Sequence, residues 1–382
     1  MRIAFDNQIF FGQTYGGVTR YYLDLLLGLQ ALPAARPELR ICAGLHYSEP
    51  LLELLHTQPH APVHGWKLPA SQLAWCRKVI TPSLLRRLSN VVCDAQLRRF
   101  QPDIIHETYY QPQPQVPHLA RGRRVITIFD MIHELFLPDQ VKVIRAKAAA
   151  LARADAIIVC SQSTRTDLLN MFPQVADRTH LIPLCGPAEQ PQFPAPVAIQ
   201  TGQPLTPRPY ILYVGLRGLY KNFLFFLQAF VQVHRQTRVD LLCYGGGDFK
   251  PDEVAEISRL GLSTSVRQIP GCTELWPLYQ HAQAFVYPSR YEGFGIPLLE
   301  AMANRCPVVC SKTSAFPEVA GMAAEYFEPD HVDSMADAIW RVITNPQRQT
   351  ELRTLGLGQM APYNRQRMAH DTMGVYQRLI AQ

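Results

Sequence analysis

Short apolar runs, each closing on a turn and followed by a segment of helical spacing, recur through the whole chain. Residues 2–6, 39–44, 102–106, 125–129 and 156–160 read as strands, and so do 210–214, 239–244, 266–269, 284–287, 307–310 and 324–327. Strands alternating with helices select a parallel sheet covered on both faces. Eight prolines between residues 183 and 209 interrupt the alternation, which restarts at Tyr210. The pattern predicts an α/β fold of two Rossmann-like domains: residues 1–185, a Pro-rich linker over 186–209, and residues 210–362. A final helix spans 363–382, with Met368, Met373, Val375, Tyr376 and Leu379 at helical spacing. The stretch 60–100 is harder to read and is expected to be mostly helical.

At 382 residues, 47% hydrophobic and 18% charged, the chain has the composition of a soluble two-domain protein. No run of eighteen apolar residues occurs, so no membrane span is expected. The amino terminus, MRIAFD, runs straight into a strand without a signal-peptide pattern, which predicts a cytoplasmic protein. Nine cysteines are scattered without a C-x-x-C pair, a pattern expected of buried free thiols and not of a zinc site. The net charge of +6 is concentrated in one region: Arg77, Lys78, Arg86, Arg87, Arg98, Arg99, Arg121, Arg123 and Arg124. Leu73, Trp75, Ile80, Leu84, Leu85 and Leu88 interleave with them. Such a face either lies on an anionic membrane or is a solvated helix face, and both readings stand. No nucleic-acid-binding module accompanies the charge, so no nucleic acid partner is expected.

Residues 289–300 read SRYEGFGIPLLE and follow a strand. Gly293 and Gly295 fall in the strand-to-helix turn, where a ligand can approach the backbone, and Pro297 suits a first helical turn. Free amides at the helix start, around Phe294, Gly295 and Ile296, favour an anion. Glu292 and Glu300 stand at the same mouth. Hydroxyls at both ends of a ligand with phosphate between them, the layout of a sugar nucleotide, would match. The plainer reading is a glycine-bearing loop with solvated glutamates. In YVGLRGLYKN, Gly215 ends a strand and Arg217 and Lys221 stand in the following loop. Two cations there suit a diphosphate, or are simply exposed. His106, Glu107, Asp130 and His133 cluster at the carboxyl ends of two further strands, the side on which open α/β sheets bind ligands. Gly16–Gly17 opens the first helix, but lacks the G-x-G-x-x-G dinucleotide fingerprint.

The spacing E-G-F-G-I-P-L-L-E, the run A-M-A-N-R-C-P-V-V-C-S after it, and G-G-V-T-R-Y-Y near the amino terminus together resemble the retaining glycosyltransferases of family 4. The likeness spans nearly the whole chain, is densest over 210–345 and weakest over 45–100. It implies the GT-B fold, two domains facing across a cleft, with the last helix crossing back to the first domain. It assigns Glu292 to hydroxyls of the donor sugar and Glu300 to the ribose. It places Lys221, Arg217, Gly215, Gly17 and the 293–296 turn around the donor diphosphate, the Gly245–Gly247 turn near the base or ribose, with Asp248 read as a turn residue, and Pro270–Cys272 over the base. H-E-T-Y-Y and F-D-M-I-H-E resemble acceptor-side segments, so His106 or Asp130 would orient the acceptor beside Glu107 and His133. The resemblance implies no metal and no cofactor beyond the nucleotide-sugar donor. GDP-mannose is favoured, with UDP-glucose and dTDP-rhamnose as alternatives and a sugar-nucleotide epimerase as the rival activity. The implied acceptor is a lipid-linked or cell-surface glycan, reached by peripheral association with the inner membrane face.

Overall fold

A computed structural model of the chain describes residues 1–13, 16–33, 37–46, 48–58, 60–67, 81–114, 122–187, 208–269 and 275–381. Most of the expected linker, the loop 270–272, and Leu73, Trp75, Arg77, Lys78, Ile80 and Arg121 of the basic region lie outside the described residues. The chain divides into two compact units, Met1–Cys185 with Arg365–Gln382, and Gly186–Asn364.

The first unit is built on seven strands: β1 (Arg2–Phe5), β2 (Glu38–His46), β3 (Val63–Lys67), β4 (Ile104–Glu107), β5 (Arg123–Ile128), β6 (Ala156–Val159) and β7 (Thr179–Leu181). They lie in the order β3-β2-β1-β4-β5-β6-β7, every neighbouring pair parallel. Sheets covered on both faces need near-continuous apolar strands. Ile3, Ala4, Phe5, Ile104, Ile105 and the whole of β6 accordingly have no exposed surface. β3 departs from the sequence expectation. Its V-H-G-W-K stretch is a solvated edge strand, with Trp66 63% exposed, and so carries no apolar run to announce it.

Four helices of this unit matter below: α1 (Gly17–Ala31), α2 (Pro82–Phe100), α3 (Val141–Arg153) and α4 (Gln162–Met171). Thr81 caps α2 and Ser161 caps α4, each side-chain oxygen accepting from the amide three residues on. The carboxy-terminal helix, Arg365–Ala381, packs on α1, and Arg365 pairs with Asp24 at 2.6 Å. Gly28 makes the close approach possible. A Cβ there would stand 2.7 Å from the Ala369 methyl and 3.0 Å from the Arg365 carbonyl oxygen.

The second unit holds β8 (Tyr210–Val214), β9 (Asp240–Tyr244), β10 (Val266–Ile269), β11 (Phe285–Tyr287), β12 (Val308–Ser311) and β13 (Ala324–Phe327). These too are all parallel, in the order β10-β9-β8-β11-β12-β13. Its helices include α5 (Phe223–Thr237), α6 (Pro251–Arg259), α7 (Ile296–Ala303), α8 (Val332–Ile343) and α9 (Pro346–Gln359). Phe226 and Phe230 of α5 and Ile339 of α8 join Leu241, Val286 and Val309 in one core. Strand order reverses between β1 and β4 in the first unit and between β8 and β11 in the second. In open parallel sheets ligands bind beyond the carboxyl ends of the strands at that reversal.

Candidate donor site at the switch point of the second unit

β8 and β11 lie side by side, so the loops that leave their carboxyl ends emerge together. Gly215 follows β8 with φ +122°, and apart from its chain neighbours no atom lies within 4 Å of where a Cβ would stand. The backbone there is open to a ligand. A 3-10 turn, Leu219–Lys221, then leads into α5, and Asn222 takes φ +60° at the junction. The Lys221 Nζ meets Glu292 Oε1 at 2.5 Å. Ser289 donates to the same carboxylate oxygen at 2.7 Å, and the Glu292 amide donates to Ser314 Oγ at 3.0 Å. The backbone amide of Arg290 closes the pair of loops on the Tyr220 carbonyl at 2.7 Å.

The Lys221 and Glu292 side chains are 13% and 10% exposed. At that depth the ion pair is screened less than a surface pair, and removal of either partner strands the other charge. The Lys221 ammonium also lies 5.1 Å from the Tyr220 ring centre and 5.6 Å from that of Tyr287. Burial, and then the Glu292 charge, push the Tyr287 phenol well above its usual pKa, so it remains a neutral donor. An ammonium carries three donors. One is committed to Glu292, and the remainder suit the oxygens of an anion.

Beyond Glu292 the chain turns into α7. Gly295 stands at the helix start with φ +93°, and a Cβ would come 3.0 Å from the Phe316 ring. Phe294 is buried edge-on against Tyr363. Pro297 sits within the first helical turn. Glu300 accepts from the Tyr279 hydroxyl at 3.2 Å.

Arg217 departs from its expected role. All five of its N–H groups are spoken for. Nε donates to Glu253, Nη1 to the Gly245 carbonyl and Gln268, and Nη2 to the carbonyls of Gly247 and Asp248, at 2.8 to 3.0 Å. With its side chain 2% exposed, it has no donor left for a diphosphate. It organises the turn after β9, in which Gly245, Gly246 and Gly247 all take positive φ.

Two of the acceptor-side candidates are also interior groups. His106 is fully buried, with Nδ1 at 2.6 Å from the Tyr376 hydroxyl and Nε2 at 2.9 Å from Thr127 Oγ1. Burial lowers its pKa to about 3, so it is a neutral ring that ties the carboxy-terminal helix to the sheet. Glu107, 2% exposed, is held by Arg124 at 3.0 Å and Arg153 at 2.5 Å. Asp130 and His133, beyond the end of β5, keep partial exposure. Asp130 accepts from the Ile132 amide at 3.0 Å, and burial followed by the Lys147 charge lowers the His133 pKa. Gly17, exposed, begins α1, whose N-cap is Gly16 and has no side-chain cap. Its first amides suit an anion.

Two residues passed unnoticed in the sequence. Asp6 follows β1 at the first unit's reversal point and accepts from the Thr108 amide at 2.9 Å and hydroxyl at 2.5 Å. Burial, then Glu107, raise its pKa to about 6. Its position just after a strand was the available signal. Lys147 of α3 is fully buried, paired with Glu134 at 2.7 Å and donating to the Asp130 carbonyl at 3.0 Å. An alanine-rich helix gives no hint of that.

Two parallel-sheet units, each with its own switch point, have the GT-B architecture. Sucrose-phosphate synthase from Thermosynechococcus elongatus superposes with a TM-score of 0.71 over 100% of this chain and 99% of that one, at 19% identity. A family model described as glycosyl transferases group 1 matches residues 208–345, and one described as glycosyl transferase 4-like domain matches residues 16–185. The chain belongs to this glycosyltransferase family. It is 28% identical to O-antigen chain mannosyltransferase B of Escherichia coli over 95% of this chain and 96% of that protein. Over 132 residues it is 50% identical to O-antigen chain mannosyltransferase RfbU of Salmonella typhimurium, covering 34% of this chain and 37% of that protein.

Proposed function

We propose that the protein transfers a mannosyl group from GDP-mannose to a growing glycan, with retention at the anomeric carbon. The observation that carries this reading is the Lys221–Glu292 pair at the switch point, 2.5 Å apart and close to the uncapped start of α7. As the anomeric C–O bond breaks, negative charge builds on the departing diphosphate. Lys221 and the amides at the start of α7 offset that charge, a preorganised electrostatic role. Glu292, fixed by Lys221 and Ser289, orients the sugar hydroxyls. The acceptor oxygen forms the new bond to the anomeric carbon, and its proton passes to the departing phosphate oxygen. Asp130 and His133 orient the acceptor. The names of the two relatives support mannose and an O-antigen-like glycan.

The test is transfer by purified protein from GDP-mannose, UDP-glucose and dTDP-rhamnose. GDP-mannose is expected to support transfer, and Lys221→Ala and Glu292→Ala to cut turnover by about two orders of magnitude or more. Near wild-type transfer by folded Lys221→Ala would refute its role, and epimerisation without transfer would favour the rival activity.

The acceptor reading extends to the membrane surface. No helix among the described residues is long and apolar enough to cross a membrane. α2 carries exposed Leu84, Leu88 and Val91 at helical spacing, with Arg86 and Arg87 exposed among them. Apolar side chains flanked by arginine suit an anionic lipid surface at the cytoplasmic face. Co-sedimentation with phosphatidylglycerol vesicles is expected to fall at least tenfold in Leu84→Ser/Leu88→Ser/Val91→Ser. Undiminished pelleting would assign α2 to solvent.

A further inference from the structure

The first unit has a recess of about 440 Å³ at its β7 edge, four strands along the sheet from β1. It lies among the first turns of α4, strand β7 and the carboxy-terminal helix, and nothing in the transfer chemistry uses it. Arg165 enters it from α4, His180 from β7, and His370, Asp371 and Arg378 from the carboxy-terminal helix. Gly374 leaves the helix without a side chain at that wall.

The charges do not balance. The Asp371 carboxylate is already approached by His370 at 3.3 Å and by Arg367 at 3.8 Å. Among the described residues neither Arg165 nor Arg378 has a carboxylate within ion-pair distance. Arg165 stands just past the first turn of a ten-residue helix that has no acidic residue there. A cation in that place opposes the helix dipole, whereas an anion is favoured. The half-buried His180 feels the excess, its pKa lowered by burial and then by Arg378. Two guanidinium groups, the half-buried Arg165 and the exposed Arg378, line one recess beside a helix amino terminus, and arginine forks are the donors that grip phosphate oxygens.

We propose that this recess is a phosphate-binding site, with Arg165 and Arg378 as its ligands. The phosphate is borne either by a soluble compound or by a lipid headgroup. Inorganic phosphate is the probe for the first source and phosphatidylglycerol vesicles for the second. The readout is the His180 imidazole titration followed by NMR, against chloride at equal ionic strength. Saturating phosphate is expected to raise the His180 pKa by about one unit, the scale of an opposite charge brought nearby. Arg165→Gln and Arg378→Gln should each abolish the rise, and Lys221→Ala should leave it intact, which separates this site from the donor site. Vesicle pelleting that drops in both arginine variants assigns the phosphate to a lipid, whereas unchanged pelleting with the His180 response assigns it to a soluble compound. A His180 titration indifferent to phosphate, or a rise that survives in both variants, overturns the proposal.

Discussion

Lys221 and Glu292 face each other from loops 71 residues apart in sequence, and each is the other's ion-pair partner. Arg217, four residues earlier, has the same charge as Lys221 and the opposite use, because every one of its donors ends on the protein. Side-chain chemistry alone could not separate the two. What separates them is the count of acceptors around each, which only the folded chain supplies. Asp6 poses a related question of charge. Its pKa is raised from 3.8 to about 6, so the folded state binds its proton more tightly than the unfolded state does. The stability this contributes is present below about pH 4 and is lost as pH rises through 6. Asp6→Asn removes that loss. The stability of the variant relative to wild type should therefore rise by about 2 kcal/mol between pH 4 and pH 7, measured by urea unfolding at each pH. His106 and His46, lowered to about 3 and 4, pull the other way on acidification, but in both proteins, so they cancel in the difference. A constant difference across that range would mean Asp6 titrates normally.

Among the elements, α1 and the carboxy-terminal helix fit tightly at Gly28. Gly28→Ala would set a methyl 2.7 Å from Ala369 and against the Arg365 carbonyl oxygen. Overpacking of this kind costs about 1–3 kcal/mol, visible as a lowered denaturant midpoint with an unchanged slope. A neutral effect would show that the two helices can part without cost. The buried strands were legible because a strand covered on both faces must be apolar along its length, as Ile3–Phe5 and Ala156–Val159 are. β3 was not, since its solvated V-H-G-W-K needs no such pattern. At the site, Lys221, Glu292 and Gly295 could be read from a strand–turn–helix pattern in which charge and glycine fall at fixed places. The interior roles of His106, Glu107 and Arg217 could not. A strand end fixes where a side chain starts, not whether it turns inward, and His106 turns to Tyr376, 270 residues away.

At the scale of the whole molecule, the chain completes most of one sheet unit, builds a second, and returns its last helix to the first. Each unit brings two strand ends together where its strand order reverses. In the first unit that point joins Asp6 to Thr108, and in the second Lys221 to Glu292. We propose that the second grips a nucleoside diphosphate. Isothermal titration of GDP, UDP and dTDP into wild type and Lys221→Ala tests it most directly, with thermal unfolding confirming that the variant is folded. GDP is expected to bind best, with its affinity falling by about a hundredfold in Lys221→Ala. Equal affinity in the two proteins, or no binding of any of the three to wild type, would contradict it.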